Sequence, residues 1–211
     1  LLLRCDGFGL DTILPRRGIA AREDEVLLTL GAQNALWIAA TLLLGPRRRA
    51  VVENPGYPAW RAIVAATGAE AVPVDVDEGG LPPDRVSGDV VFTTPSHQCP
   101  TNATMPVERR TALLDAAERQ GFVIVEDDYE FEMSFLKPVA PALKSLDRDG
   151  RVIYAGSFSK SVFPGLRLGY LVGPPGFIAE ARALRGLMLK HPPGHIQRTM
   201  AYFLGLGHYD A

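Results

Sequence analysis

The chain has 211 residues, of which 47% are hydrophobic, and a formal net charge of −2, so we expect a soluble globular protein with a sizeable core. This charge provides no basic field, which argues against nucleic-acid binding, and no apolar run reaches the roughly 18 residues that a membrane span requires. Cys5 and Cys99 form no paired motif and Leu1-Leu2-Leu3 is too short for a signal peptide, so a reducing cytoplasmic location is expected.

Residues 1–25 carry turn signals and no amphipathic pattern, and we expect a poorly patterned N-terminal segment there. From residue 26, short apolar runs alternate with helical ones. Predicted strands cover residues 26–30, 50–53, 70–76, 89–93, 122–125, 151–155 and 168–172, and predicted helices cover residues 34–44, 60–67, 106–120, 176–190 and 197–206. Apolar strands that alternate with helices predict an α/β fold, with a mostly parallel sheet sandwiched by helices.

Polar and aromatic residues follow the ends of five predicted strands. They are Gly31–Gln33, Tyr57, Ser96–Asn102, Asp127–Tyr129 and Ser157–Lys160. Ligands of such sheets bind beyond the carboxyl ends of the strands, so we expect these groups to converge at one rim. The first of them opens a helix after a glycine turn, which is typical of an anion site because free backbone N–H groups point at the ligand.

Lys160 stands out because the chain has eighteen arginines and only four lysines. It follows a buried strand and lies in a turn of small residues, so we expect its amine at the edge of the core, partly desolvated. A lysine in that position is a nucleophile able to form a Schiff base. The hydroxyls of Ser157 and Ser159 and the guanidinium of Arg167 are the parts of a phosphate clamp.

Asp127 ends a buried strand, where a carboxylate is costly unless a cation pairs with it. Together with Tyr129 and the groups around Lys160, it calls for a ligand with an aldehyde, a phosphate, a basic ring nitrogen and a phenolic oxygen. Pyridoxal 5′-phosphate has these four features, and an acid at its ring nitrogen keeps the ring an electron sink. Tyr57 would cover the ring face. Asp128 and Glu130 are expected to be exposed or locally hydrogen-bonded.

These residues resemble those of the fold-type I aminotransferases. The motifs are Asn54-Pro-Gly-Tyr57, Glu126-Asp-Asp-Tyr129, Ser157-Phe-Ser-Lys160 and Arg167-Leu-Gly-Tyr170. Within that superfamily, Thr94-Pro-Ser-His-Gln98 and the acidic motif look most like the MocR family. In these bacterial regulators a GntR-type winged-helix DNA-binding domain is fused to an aminotransferase-like domain.

The resemblance implies a role at the cofactor for nine residues. They are Ala32, Gln33, Tyr57, Asp127, Tyr129, Ser157, Ser159, Lys160 and Arg167. Lys160 would carry the cofactor as a Schiff base and move the proton, and Asp127 would pair with the ring nitrogen. Tyr129 would bind the phenolic oxygen and Tyr57 would stack on the ring, while the remaining residues, with the backbone amides of Ala32 and Gln33, would hold the phosphate.

The sequence also departs from the family pattern. Cys99 stands where the family has an asparagine that contacts the phenolic oxygen, and Gln98 is a candidate replacement. Ala32 replaces a common hydroxyl, so its phosphate contact would come from the backbone alone. The arginine that binds the substrate carboxylate belongs to a C-terminal small domain, which we expect to be absent or truncated here. Accordingly, residues 26–190 are the expected cofactor-binding large domain, and residues 191–211 the start of a truncated C-terminal region.

Three functions follow from this pattern. The first is the effector-sensing domain of a MocR-type regulator, which binds an amino acid or amine as an external aldimine, forms a homodimer, and meets DNA only through a domain outside this chain. The second is a working aminotransferase that transfers an amino group to a 2-oxo acid. The third is a nucleotide-binding α/β domain without pyridoxal phosphate, although no G-x-G-x-x-G turn follows the first strand.

Overall fold

The computed structural model describes residues 13–130 and 140–209. Leu1-Leu2-Leu3 and Cys5 lie outside the described residues. The strands are β1 (Val26–Thr29), β2 (Arg49–Asn54), β3 (Glu70–Asp75), β4 (Val90–Thr93), β5 (Val123–Asp128), β6 (Val152–Ser157) and β7 (Gly169–Val172). The helices are α1 (Gly31–Leu43), α2 (Pro58–Ala66), α3 (Val107–Gln120), α4 (Leu143–Leu146), α5 (Pro175–Leu189) and α6 (Gly194–Gly205). In the part of the chain that is described, no helix is both long and apolar enough to span a bilayer.

The seven strands form one sheet in the order β1-β7-β6-β5-β4-β2-β3. Strands β2 to β6 pair in parallel, whereas β7 runs antiparallel to both β1 and β6. The predicted mostly parallel sheet is therefore confirmed. Because β7 runs in the opposite direction, the residues that precede it lie at the same rim as the carboxyl ends of β5 and β6.

Apolar side chains leave the central strands toward both faces of the sheet. Val125 and Ile153 pack with the buried side of α1, as well as with α2 and α5. Their neighbours Ile124 and Val152 face the opposite layer, which contains α3. This alternation follows from the twofold period of a strand, and it explains why helices cover both faces of the sheet.

Strand β5 continues further than its apolar pattern predicts. The prediction ended at Val125, but the ladder with β6 runs on to Asp128, which pairs with Gly156. Glu126, Asp127 and Asp128 are all buried. The strand tolerates these acids because two of them have partners from distant segments, and the third faces the cavity described below.

The segment before β1 contributes to the core. Leu14–Arg17 forms a 3₁₀ turn, and Ile13, Leu14 and Ile19 are buried against β1 and β7. Gly18 ends this turn in the left-handed region at φ 71°, which is the conformation that glycine adopts at no steric cost. The described part of the N-terminal segment is thus held by tertiary packing instead of by a helical pattern.

Candidate functional site

A cavity of about 570 Å³ lies at the carboxyl ends of the parallel strands. Its lining residues are Ala32, Gln33, Leu36, Tyr57, Cys99, Asp127, Tyr129, Glu130, Ser157, Ser159, Lys160 and Arg167. The structure therefore brings together all nine residues singled out from the sequence. Cys99, from the loop expected at this rim, also lines the cavity, and so do Leu36 and Glu130, which the sequence did not single out as cofactor contacts.

One end of the cavity is built to receive an anion. Helix α1 begins at Gly31 with φ 78°, and the next two residues, Ala32 and Gln33, line the cavity at the helix N-terminus. Free N–H groups and the helix dipole favour negative charge there. A Cβ at Gly31 would lie 2.9 Å from Nη2 of Arg167, so the guanidinium lies directly over the first turn of α1. Arg167 itself has φ 48°, a left-handed backbone that turns its side chain toward this helix end.

Two serine hydroxyls complete the same end. Ser157 ends β6, and its Oγ accepts a hydrogen bond from the backbone N–H of Ser159 at 3.1 Å. Among the described residues, the buried Oγ of Ser159 has no hydrogen-bond partner. A guanidinium, two hydroxyls and a helix N-terminus form a donor set that matches phosphate oxygens.

The opposite wall holds a buried acid. Asp127 is 4% exposed, and its buried Oδ1 has no hydrogen-bond partner within the described residues. Burial, followed by the charges of Asp128 and Glu53, raises the pKa of Asp127 to about 8. A buried carboxyl with a bare oxygen calls for a cationic or proton-donating partner. The residues present thus fit a ligand that has a phosphate at one end and a basic ring nitrogen at the other.

Lys160 lies in the turn that follows β6, and its side chain is exposed. The expectation that the core would partly desolvate this amine is therefore wrong. The strand ends at Ser157, and the aromatic ring of Phe158, which is 1% exposed, takes the buried position next to it. The amine of Lys160 is left at the cavity, where it is accessible to an incoming aldehyde.

Tyr57 and Tyr129 supply the aromatic walls. The hydroxyl of Tyr57 donates a hydrogen bond to Oε1 of Gln33 at 2.9 Å, which ties the loop after β2 to the start of α1. The side chain of Tyr129 lies close to those of Cys99 and Glu130, and all three residues line the cavity. Burial is the largest cause that raises the pKa of both Tyr129 and Cys99, so both groups hold their protons at neutral pH.

Gln98 does not take the place of the family asparagine. It is 1% exposed, and its Nε2 donates to Oε2 of Glu53 at 3.0 Å and to the carbonyl of Pro55 at 2.9 Å. Its Oε1 accepts from the hydroxyl of Thr101 at 2.6 Å. The side chain is therefore engaged inside its own loop, and Cys99 is the residue of this pair that reaches the cavity.

Asp128 is neither exposed nor locally bonded, contrary to expectation. It is 2% exposed, and its Oδ2 accepts from Nε of Arg17 at 2.7 Å and from the hydroxyl of Tyr154 at 2.8 Å. Glu130 lines the cavity and contacts its neighbour Tyr129, as a locally bonded residue would. Sequence reasoning missed Arg17 because nothing in Pro15-Arg-Arg-Gly18 distinguishes a buried arginine from a solvated turn.

Comparisons with known proteins identify the family. The family model for aminotransferase class I and II matches residues 17–205. The HTH-type transcriptional regulator TauR of Rhodobacter capsulatus is 65% identical over 201 residues, which cover 94% of this chain and 42% of that protein. The probable rhizopine catabolism regulatory protein MocR of Rhizobium meliloti is 35% identical, with 92% and 40% covered. The chain thus spans less than half of the length of these relatives.

Solved structures share the fold. LysN, an α-aminoadipate aminotransferase from Thermus thermophilus solved with N-(5′-phosphopyridoxyl)-L-leucine, superposes with a TM-score of 0.85 at 29% identity. The match covers 93% of this chain and 55% of LysN.

Proposed function

The chain belongs to the class I and II aminotransferase family and is most like the aminotransferase-like domain of MocR-type regulators, and from this premise we propose that it senses an amino acid or amine effector. Pyridoxal 5′-phosphate is the cofactor that this family membership implies. The observation that supports the proposal best is the cavity itself, with an anion-binding end, a bare buried carboxyl and one accessible lysine on its walls.

In this proposal each group of lining residues contacts a different part of the cofactor. Arg167, Ser157, Ser159 and the first amides of α1 bind the phosphate, and Asp127 holds the ring nitrogen protonated. Tyr57 would cover the ring face, and the hydroxyl of Tyr129 would bind the phenolic oxygen. When bound, the cofactor supplies an aldehyde carbon that condenses with amines and a ring that withdraws electrons.

Lys160 links sensing to chemistry. With the cofactor bound, Nζ of Lys160 and the amine of an effector would both be able to condense with its aldehyde carbon. A lysine amine that is not bonded to the cofactor would be placed to accept or return a proton at this end of the cavity. Because Lys160 lies in a turn and not in the sheet, its side chain has room to leave the ligand without disturbing β6.

The wider setting of the domain is also part of the proposal. We place it in the cytoplasm, as one half of a homodimer, with DNA contacted by another domain of the parent protein. Residues 26–190 would form the cofactor-binding domain and residues 191–211 the beginning of the C-terminal region. A working aminotransferase is the alternative, favoured by the presence of a lysine, an acid and a phosphate site in one cavity.

The cofactor assignment is tested on the full-length protein with added pyridoxal 5′-phosphate. We expect a yellow protein whose colour is fixed by borohydride as a stable adduct on Lys160, located by mass spectrometry of peptides. Lys160→Gln should lose the adduct, whereas Lys190→Gln, which removes an exposed amine that does not line the cavity, should keep it. A colourless wild type with no reducible adduct contradicts the proposal.

The two candidate functions separate on turnover. A sensor is expected to change its visible spectrum when a candidate amine is added and to stop there. An enzyme is expected to release many equivalents of a 2-oxo acid per site when an amino acid and 2-oxoglutarate are supplied together. Rapid multiple turnover would contradict the sensor function and support the aminotransferase function.

A further inference from the structure

The guanidinium of Arg17 joins three segments behind the cavity wall. Its Nε donates to Oδ2 of Asp128 at 2.7 Å, at the end of β5. Its Nη2 donates to Oγ of Ser96 at 2.7 Å, in the loop after β4, and its Nη1 donates to the carbonyl of Ala140 at 2.8 Å. The Arg17 side chain is 0% exposed, so these bonds are made without competition from water.

Two of these segments carry cavity residues within three positions of the bonded groups. Asp127 precedes Asp128 on β5 and lies on the opposite face of the strand, as successive strand residues do. Cys99 lies three residues beyond Ser96 in the loop that follows β4. Arg17 itself does not line the cavity. It is therefore placed to act on the cavity wall through the residues that it holds.

The chemistry of arginine suits this role. The planar fork of a guanidinium fixes several acceptors at set angles, whereas a lysine ammonium is a single flexible point charge. The hydroxyl of Tyr154 donates to the same Oδ2 of Asp128 at 2.8 Å, so this carboxylate is held from two sides. A buried ion pair of this kind adds little to the free energy of unfolding, but loss of one partner is strongly destabilising because it leaves a buried charge unpaired. The pair is therefore better suited to fix the relative positions of the segments that it joins.

We propose that Arg17 is a positioning residue of the cofactor site, which sets where Asp127 and Cys99 face the cavity by fixing the end of β5 to the loop after β4. The inference rests on the proposed function for the identity of the ligand. The arrangement of the wall, however, is a property of the protein alone and is measurable without any cofactor.

The test compares Arg17→Lys with Arg185→Lys in the full-length protein and follows the alkylation of Cys99 by mass spectrometry of its peptide. Arg185 is a matched control: it is also a buried arginine, 5% exposed, and its Nη1 donates to the carbonyl of Leu28 at 2.7 Å, away from the cavity. Both variants are expected to lose thermal stability. Arg17→Lys alone should change the rate at which Cys99 is alkylated in the cofactor-free protein, by about threefold or more, because a lysine cannot serve all three acceptors.

A second measurement uses the cofactor. Arg17→Lys should weaken pyridoxal 5′-phosphate binding about tenfold, roughly 1.4 kcal/mol, and should reduce the circular dichroism of the bound chromophore, which reports its orientation. Arg185→Lys should alter neither. If the two variants behave alike in both measurements, Arg17 has a structural role only and the inference is overturned. A wild type that binds no cofactor contradicts the proposed function, while the alkylation rates still decide the role of Arg17.

A milder variant serves if Arg17→Lys fails to fold. Ser96→Ala removes one acceptor of the guanidinium at a half-buried loop position. It should shift both measurements in the same direction by about twofold, since it removes one of three bonds. Thr111→Ala, which removes an exposed hydroxyl on α3, is its control. Identical results for these two variants also overturn the inference.

Discussion

Asp127 and Asp128 are neighbours on β5 with the same chemistry and opposite surroundings. Asp128 is paired with Arg17 through Oδ2, whereas Asp127 lines the cavity; the buried Oδ1 of each carboxyl has no hydrogen-bond partner in the described residues. The motif around them predicted the cavity position of Asp127. It could not predict the partner of Asp128, because Arg17 lies 111 residues away in the chain. A separation of that size leaves no local pattern for sequence reasoning to use.

The raised pKa of Asp127 makes the stability of the cofactor-free protein depend on pH. Between the unfolded value near 3.8 and the folded value of about 8, the native state holds a proton that the unfolded state releases. The free energy of unfolding therefore falls as pH rises through this window, by up to about 1.4 kcal/mol per pH unit for this group. Asp127→Asn should remove this part of the slope.

The corresponding measurement is the thermal midpoint of the cofactor-free wild type and Asp127→Asn at pH 5 and pH 8. The thermal midpoint of Asp127→Asn, relative to that of the wild type, should be higher at pH 8 than at pH 5. The control is Asp115→Asn, at an exposed position on α3, whose thermal midpoint should change with pH as that of the wild type does. Parallel curves for Asp127→Asn as well would mean that this carboxyl does not retain its proton in the native state.

Arg167 should act on the phosphate group alone. Arg167→Gln keeps the side chain polar but removes the charge over the first turn of α1. Because charge-assisted hydrogen bonds are worth roughly 1.5–3 kcal/mol, binding of pyridoxal 5′-phosphate should weaken at least about tenfold. Binding of pyridoxal, which lacks the phosphate, should hardly change. Equal losses for the two ligands would place Arg167 elsewhere in the site.

At the scale of elements, apolar runs located all seven described strands, and the errors lie at their ends. Strand β5 is longer than predicted because Glu126 and Asp128 are paired with groups from distant segments. Helix α1 starts at Gly31 instead of Asn34. Helix α4 was not predicted. It has four residues, and Glu126 accepts the backbone N–H groups of Leu143 and Lys144, both at 2.9 Å. Such a helix depends on a carboxylate from another strand, which periodicity does not reveal.

The contact between β7 and α1 leaves no room for a side chain. A Cβ at Gly169 would lie 2.7 Å from the backbone carbon of Gly31 and 3.0 Å from the backbone nitrogen of Ala32. Gly169→Ala should therefore destabilise the protein by about 1–3 kcal/mol and weaken cofactor binding, because it pushes the N-terminus of α1 away from its place. Urea unfolding and a cofactor titration measure the two effects.

Gly186→Ala provides the matched comparison. Gly186 lies within α5, and a Cβ there meets nothing within 4 Å. Alanine in a helix interior is favoured over glycine by roughly 0.5–1 kcal/mol, so this variant should be more stable than the wild type and should bind the cofactor equally well. A loss of stability at both positions would show that glycine removal itself, and not the clash at Gly169, is responsible.

For the whole molecule, one ligand should stabilise many segments at once. Residues of the cavity wall range in sequence from Ala32 to Arg167, so the predicted cofactor bridges most of the sheet. A ligand at 100 times its dissociation constant adds about 2.7 kcal/mol to the free energy of unfolding. We expect the thermal midpoint to rise with pyridoxal 5′-phosphate, and to rise less for Lys160→Gln.

Pyridoxine 5′-phosphate, which lacks the aldehyde, measures the stabilisation that does not depend on a covalent bond to Lys160. It should stabilise the wild type and Lys160→Gln by the same amount. A wild type that gains no more from the aldehyde form than from pyridoxine 5′-phosphate would argue against a covalent bond to this lysine. Sequence reasoning identified nine of the twelve residues that line the cavity but not the buried residues that support them, because motifs record contacts with a ligand and say little about buried partners.

The position of β7 has a consequence for how the protein is made. The strand inserts between β1 and β6, so of the seven described strands β1 is made first but lacks its neighbour in the sheet until β7 has been synthesised. Arg167 emerges only just ahead of that strand. Nascent chains that stop before Gly169–Val172 should therefore have an incomplete sheet and fail to bind vitamin B6. Chains long enough for β7 to leave the ribosome should become resistant to protease and bind the cofactor at the same length.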